Sequence, residues 1–323
     1  MLAGKKLIAV FLVLVIVIGI TGAIVWQQLV KPGEAITGSV TIVDDLGRNV
    51  TITTYPPERI VSLAPSSTEI LFALGLGSKV VGVDTYSDYP PQVNERVKAG
   101  NLTTVGSFAS ISIETVVGLN PDLVLAEGGV QKQVAEKLGE LGLPVLVLWP
   151  YPIGFSGVPA DISLVGKATG QTDKAEALVT DINRKSQEIA DKTQNATRPS
   201  VYVEYYFNGG YWSYGSDSYV NELIFKAGGI NVFAGFAPAY ITTSSEEVIK
   251  ANPEIIVITK GAMSEAAGLT PDVIRKRAGW DGITAIKNNR IFEVDESPLT
   301  RPGPRMIDAL ETLARLLHPE LFS

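Results

Sequence analysis

Two glutamates at a fixed interval are the residues of this 323-residue chain best placed to do chemistry. Glu114 stands in SIETVVGLNPDLVLAE (112–127) and Glu246 in SSEEVIKANPEIIVIT (244–259), an offset of 132 residues (246 − 114). Ser112/Ser244, Val116/Val248, Asn120/Asn252, Pro121/Pro253 and Asp122/Glu254 keep that offset, and an aromatic, Phe108 or Tyr240, lies six residues before each glutamate. A carboxylate can grip a guanidinium through charge-assisted, often bidentate hydrogen bonds. Two carboxylates on a repeated unit can engage a partner at two matched points. A single acid in the first turn of a helix gains only about 0.3–1 kcal/mol from the macrodipole. A fixed internal offset marks one structural unit used twice. Two such units facing one another leave a cleft, a common place for a ligand.

Other chemistries lack their parts. His318 is the only histidine and sits in LLHPELF, so a nucleophile drawn from Ser66 or Ser67 with Glu69 has no imidazole near it in sequence. No enzymatic role and no catalytic residue is expected. Gly75-Leu-Gly77 and Gly128-Gly129 match neither the dinucleotide nor the P-loop fingerprint. The absence of cysteine removes disulfides, thiolate metal sites and a lipidated N-terminal cysteine, and one histidine cannot gather a site for a bare transition metal. No cofactor or metal is expected. The net charge of −7 argues against nucleic acid.

Aromatics are concentrated instead. Residues 202–219 hold Tyr202, Tyr205, Tyr206, Phe207, Tyr211, Trp212, Tyr214 and Tyr219, eight of the chain's 25. Strand cores use aromatics for packing, yet adjacent Tyr205, Tyr206 and Phe207 must point to both faces of a strand. Gly209-Gly210 lets the backbone turn after them. Rigid amphipathic rings suit a flat or caged ligand.

The elements that position these residues follow from pattern. Residues 40–53 read as a hairpin turning through Asp45-Leu46-Gly47, and 59–65 and 79–84 as strands. Ser66-Ser-Thr-Glu69 reads as a capping box opening a helix that Gly75 and Gly77 close. In each repeat a serine caps a short helix, Asn-Pro ends it, and an apolar strand follows. LPVLVLW (143–149) is a further strand, and the β/α alternation implies mostly parallel sheets. Residues 154–197 carry helical spacing with Gly170 as the break, a long connector between lobes. A second lobe opens with PSVYVEYYF and closes with a helix begun by Pro304. The expected fold is α/β, two β/α lobes joined by one helical connector. The expected boundaries are 40–153 for the first lobe, 154–197 for the connector and 198–323 for the second.

At the N-terminus, Leu7 to Trp26 is an almost unbroken apolar run behind Lys5 and Lys6, long enough to span a bilayer. The preceding lysines favour a cytoplasmic N-terminus. Residues 1–30 therefore read as an anchor, or as a signal that is cleaved, and 31–39 as a tether to an extracytoplasmic domain.

RIVSLAPSSTEILFALGLGSKVVGVDTYSDYPP (59–91), GWDGITAIKNNRIFEVD (279–295) and RPGPR (301–305) together give the chain a family likeness. It resembles the class III substrate-binding proteins of ABC importers, which deliver vitamin B12, haem and ferric siderophores, and looks most like the B12-binding members. The likeness covers residues 38–323. It implies capture of a small molecule between two lobes and delivery to a permease dimer with ATPase subunits. It further implies docking through Glu114 and Glu246, and a cleft lined by Tyr86, Phe108 and Tyr240. Tyr205, Tyr206, Tyr211 and Trp212 are further candidates, and Arg301, with Arg305 near it, either meets an anionic group of the ligand or braces the loop before the last helix. By the same likeness the cargo is cobalamin, with a ferric siderophore or haem as the alternative. A membrane-tethered sensor that has lost transport is the alternative from another class.

Overall fold

The computed structural model describes residues 38–148, 154–207 and 210–322. The expected anchor, most of the tether, Trp149 and Gly209 lie outside them. Among the described residues no helix is long and apolar enough to cross a membrane.

A hairpin of β1 (Gly38–Val43) and β2 (Asn49–Tyr55) comes first, turning at Gly47. Then follow β3 (Ile60–Ser62), α1 (Pro65–Ala73), β4 (Val80–Val83), α2 (Gln92–Lys98) and β5 (Thr103–Thr104). The small hairpin β6 (Gly106–Ser107) and β7 (Ser110–Ile111) precedes α3 (Ile113–Gly118), β8 (Leu123–Glu127), α4 (Lys132–Glu140) and β9 (Val145–Leu148). β3, β4, β5, β8 and β9 form a parallel sheet in the order β5-β4-β3-β8-β9.

Two helices, α5 (Gly157–Thr169) and α6 (Thr172–Thr193), make the connector. They part where the sequence predicts, at Gly170, whose φ of 70° is open to glycine and strained for other residues. α5 leans on α1 and β1.

The second half runs β10 (Ser200–Glu204), β11 (Tyr206–Phe207), β12 (Tyr211–Tyr214), α7 (Tyr219–Lys226), β13 (Ile230–Asn231), β14 (Tyr240–Thr243), α8 (Ser245–Ala251) and β15 (Ile255–Lys260). It ends with α9 (Ala262–Ala266), α10 (Pro271–Arg275), α11 (Thr284–Lys287), β16 (Ile291–Asp295), α12 (Glu296–Thr300) and α13 (Met306–Leu317). Its parallel sheet has the order β13-β10-β15-β16, and β11-β12-β14 form a separate antiparallel sheet. The connector's second helix, α6, packs on α7 and α13 of this half.

Successive strand residues face opposite ways, and the core follows that rule in both sheets. Ile60, Leu123 and Leu125 face inward with Val201, Val203, Ile255 and Val257, and share one apolar cluster with Ile162, Ile182, Leu223 and Leu310 of the helices. Val61, Val124 and Ala126 face the other way onto Val116 and Leu138. Tyr202, Ile256 and Ile258 likewise pack on Trp280. Strands buried on both faces read as near-continuous apolar runs, which is how they appear in the sequence.

Three local expectations fail. Ser66, Ser67, Thr68 and Glu69 form no capping box; the helix starts two residues earlier, at Pro65, with Ala64 rather than Ser66 as its N-cap. Pro65 fixes φ for the first turn, Thr68 Oγ1 bonds Ala64 O at 3.2 Å, and Glu69 is directed to Arg305. At the other end, α13 begins at Met306, and Pro304 sits in the turn before it. The first strand of the second half also breaks at Tyr205, so 200–207 is two strands in two sheets.

Candidate functional site

A cavity of about 240 Å³ lies between the two halves, outside the carboxyl ends of their parallel strands, where α/β sheets place ligands. Pro65 and Ser66 at the start of α1, Phe108 in the β6–β7 turn and Glu127 at the end of β8 line it from the first half. Tyr214, residues 217–220 at the start of α7, Ala239, Tyr240 and residues 300–302 line it from the second.

Phe108 and Tyr240, the matched aromatics of the repeat, both reach this cavity. The Phe108 turn is fixed from below: buried Gln131 donates Nε2 to Leu63 O at 2.6 Å and to Phe108 O at 2.9 Å. Gly106 permits the tight hairpin, since a Cβ there would stand 2.3 Å from Ser110 O. Tyr240 is 52% exposed and leans on a ring cluster. Its centroid lies 6.1 Å from Tyr205 and 5.8 Å from Tyr214, which are themselves 4.8 Å apart. Burial, with Tyr240 beside them, raises the phenol pKa of both Tyr205 and Tyr214, so both stay neutral hydrogen-bonding groups.

The other sequence candidates fall in different places. Arg301 lines the cavity. Tyr205 is buried behind Tyr240, and Trp212 packs edge-on to Tyr205 at 6.4 Å. Tyr206 is half-buried opposite Trp212 in the β11–β12 pair. Tyr211 faces away from the cavity, its ring 5.5 Å from Trp280 with the Arg277 guanidinium 4.5 Å over it. Tyr86 is 57% exposed outside the cavity wall, on a turn whose N–H donates to Asp84 Oδ2 at 2.9 Å. Ser66, Glu127, Asp217 and Tyr219 were not singled out as ligand contacts. Glu127 did carry a signal: an acid ending an apolar strand, just before Gly128-Gly129.

Ion pairs cross between the halves beside the cavity. Arg305 holds Glu69 with two hydrogen bonds of 2.9 and 2.6 Å, and its guanidinium lies 3.9 Å over the Tyr89 ring. Arg301 Nη1 donates to Asp88 Oδ1 at 2.5 Å. These pairs tie the RPGPR segment to the first half. Burial raises the carboxyl of Glu69 despite Arg305. Asp84 is fully buried with Ser87 Oγ and the Tyr86 N–H as partners, and burial pushes its pKa up to about 6. Glu127 is also raised by burial, against the backbone N–H groups of the following turn, including Val130 at 3.0 Å.

Away from the cavity, the repeats place their glutamates alike. Ser112 Oγ accepts from Thr115 N–H, and Ser244 Oγ from Glu247 N–H, so Glu114 and Glu246 each stand second in a capped helix. Both are exposed, and neither meets a cation among the described residues. Asn120 and Asn252 both turn the chain at φ 45°. Asp122 then accepts from the N–H groups of Glu58 and Arg59, while Glu254 accepts from the Ser200 N–H and hydroxyl. Each acid thus pins the entry of the strand beside its own.

His318 is buried with Nε2 3.1 Å from Gly228 O, an anchor for the last helix. Among the described residues no group of His, Cys, Asp or Glu could hold a metal ion.

The family pattern for periplasmic binding proteins matches residues 60–298. The uncharacterized ABC transporter substrate-binding lipoprotein YvrC of Bacillus subtilis is 34% identical over 88% of this chain and 87% of its own length. The crystal structure of the periplasmic vitamin B12 binding protein BtuF of Vibrio cholerae superposes with a TM-score of 0.69 at 26% identity, covering 82% of this chain and 98% of that one. The periplasmic heme-binding protein RhuT of Roseiflexus sp. RS-1, in apo form, gives 0.72 at 29% identity, covering 82% and 99%.

Proposed function

The chain belongs to the periplasmic binding protein family and is the substrate-binding component of an ABC transporter of the vitamin B12, siderophore and haem type, and from that premise we propose that it captures a corrinoid between its lobes and hands it to a membrane permease. The members of this family are not enzymes, and permease and ATPase subunits are the partners that such a transporter implies.

The observation that carries the corrinoid reading is the pairing of Phe108 and Tyr240 on opposite walls of one cavity. Two rings there, one backed by Tyr205 and Tyr214, offer broad contact to a flat macrocycle. The cavity is small beside the roughly 300–1,000 Å³ of ordinary ligand pockets. A corrinoid would therefore sit at its mouth with one face against the solvent-exposed rings of Tyr240 and Tyr86. An iron chelate is the second reading, favoured by the likeness to the haem-binding RhuT. Titration of the full chain with cyanocobalamin tests the choice. One-to-one binding at micromolar or tighter affinity supports the corrinoid, while no heat with cyanocobalamin and saturable binding of haem replaces it with the second reading.

In this proposal Glu114 and Glu246 dock the permease. Both are exposed carboxylates that meet no cation among the described residues, at matched positions of two lobes. The apolar stretch from Leu7 to Trp26 attaches the protein to the outer face of the cell membrane; the sequence has no cysteine to carry the lipid that YvrC's description implies. Retention in the membrane fraction through an alkaline carbonate wash is the expected result.

A further inference from the structure

We infer that the cleft selects its cargo by charge: it takes neutral or cationic ligands whose rim donates hydrogen bonds, and it refuses anionic ones. This rests on the transport reading above and narrows it.

The cavity wall carries three charged side chains among the described residues, Glu127, Asp217 and Arg301. Arg301 is the single cation, and its guanidinium already serves Asp88 at 2.5 Å. The next cation, Arg305, is held by both oxygens of Glu69. Asp84 lies behind Arg301, buried and satisfied by Ser87 and a backbone N–H. A ligand entering the cavity therefore meets two carboxylates and no cation without a counter-ion of its own.

Glu127 is 9% exposed, and its carboxylate already takes the backbone N–H groups of Gly129, Gln131 and Val130, the last at 3.0 Å. A carboxylate has about four lone-pair sites, so acceptor capacity is left toward the cavity. Tyr219, which lines the same cavity, keeps its Oη buried with no hydrogen-bond partner among the described residues. A phenol hydroxyl both donates and accepts, so this group is indifferent to ligand charge and the selection falls to the acids of the wall.

An anionic rim fares differently. It would have to draw Arg301 away from Asp88 while sitting against Glu127 and Asp217, and like-charge juxtaposition in a recognition site costs several kcal/mol. The rejection is built from the pocket's own acids, as specificity requires. A corrinoid rim of uncharged amides passes this filter. A porphyrin with two carboxylates, or a ferric catecholate of net negative charge, does not.

The test is calorimetric titration of the full chain with four probes: cyanocobalamin, the monocarboxylic acid made by hydrolysing one of its amides, cationic ferrioxamine B, and haem. The expected result is a monocarboxylate at least about tenfold weaker than its parent amide, and haem at least about tenfold weaker than ferrioxamine B, as one unfavourable charge contact would give. In the Asp88→Asn variant, which frees Arg301, both gaps should shrink by about tenfold, with unchanged melting temperature showing an intact fold. Haem bound as tightly as ferrioxamine B, equal affinity for amide and acid, or gaps that Asp88→Asn leaves untouched would each overturn the inference. So would failure of both the neutral and the cationic probe to bind. Binding of ferrioxamine B but neither cyanocobalamin nor haem would leave the charge rule standing and remove the corrinoid reading instead.

Discussion

The two lobes share a frame and differ in what they build on it. Residues 112–127 and 244–259 give the same capped helix, the same left-handed asparagine and, at the matched position, an acid (Asp122 or Glu254) clamping the neighbouring strand. Above that frame, the first lobe raises a two-residue hairpin that presents Phe108 alone. The second raises the β11-β12-β14 sheet, which presents Tyr240 in a cluster of three tyrosines. Buried acids are handled differently as well. Glu204 in the second lobe is fully buried against both nitrogens of Arg277 and the hydroxyl of Tyr202. Asp84 in the first is equally buried but relies on a hydroxyl and a backbone N–H. The shared scaffold sets strand register in both lobes, while the surfaces around the cavity differ.

That comparison can be broken at its strongest point first. Reversing both glutamates, Glu114→Arg with Glu246→Arg, should lower uptake by more than about a hundredfold with ligand affinity unchanged, since each lost buried charge pair is worth about 2–5 kcal/mol. Cellular uptake paired with calorimetry checks it, and full uptake by the double variant would end the idea of matched docking points. Next comes Arg277→Met, which strands Glu204 and should destabilise the fold by about 3–5 kcal/mol in chemical denaturation.

Asp84 supplies a pH signature of its own. Its folded pKa of about 6 lies above the ordinary carboxylate value. Between about pH 4 and pH 6 the native state therefore holds a proton that the unfolded chain has released. Stability falls as pH rises through that window, by on the order of 2–3 kcal/mol, and levels off above it. Asp84→Asn should flatten that fall, and an unchanged slope would remove Asp84 as its source.

Smaller effects probe the aromatic pair and the caps. Phe108→Ala and Tyr240→Ala should each weaken binding by about 1–2 kcal/mol, read by titration, with Tyr240 the larger if its ring cluster preorganises the wall. Ser244→Ala should cost about 1 kcal/mol of stability and Ser112→Ala somewhat less, because only Ser244 shares a reciprocal capping box with Glu247.

The repeat, the parallel sheets and the break at Gly170 were legible because each rests on local pattern: apolar runs, Asn-Pro stops, a glycine between two amphipathic stretches. The matched aromatics were legible for the same reason, through their fixed distance from the glutamates. What sequence could not show was contact between segments far apart. Ser66 to Glu69 look like a cap, and only the approach of Arg305, 236 residues later, turns Glu69 into half of a bridge between lobes. Tyr211 looks like a cleft residue until strand alternation turns its ring onto Trp280. Glu127 and Asp217 are ordinary acids until two lobes meet over them.

Both central sheets are contiguous in sequence. Every strand of the first precedes Leu148, and every strand of the second follows Ser200. The first lobe can therefore pair all the strands of its sheet while the second is still being made, although the apolar cluster on their inner face waits for the connector and the second half. At about 5–20 residues per second, Arg305 emerges roughly 8–30 s after Leu148. The bridge to Glu69 is thus among the last contacts available to the growing chain. Until it forms, Glu69 of the first lobe stands without its cation, and that wall of the cleft is unfinished.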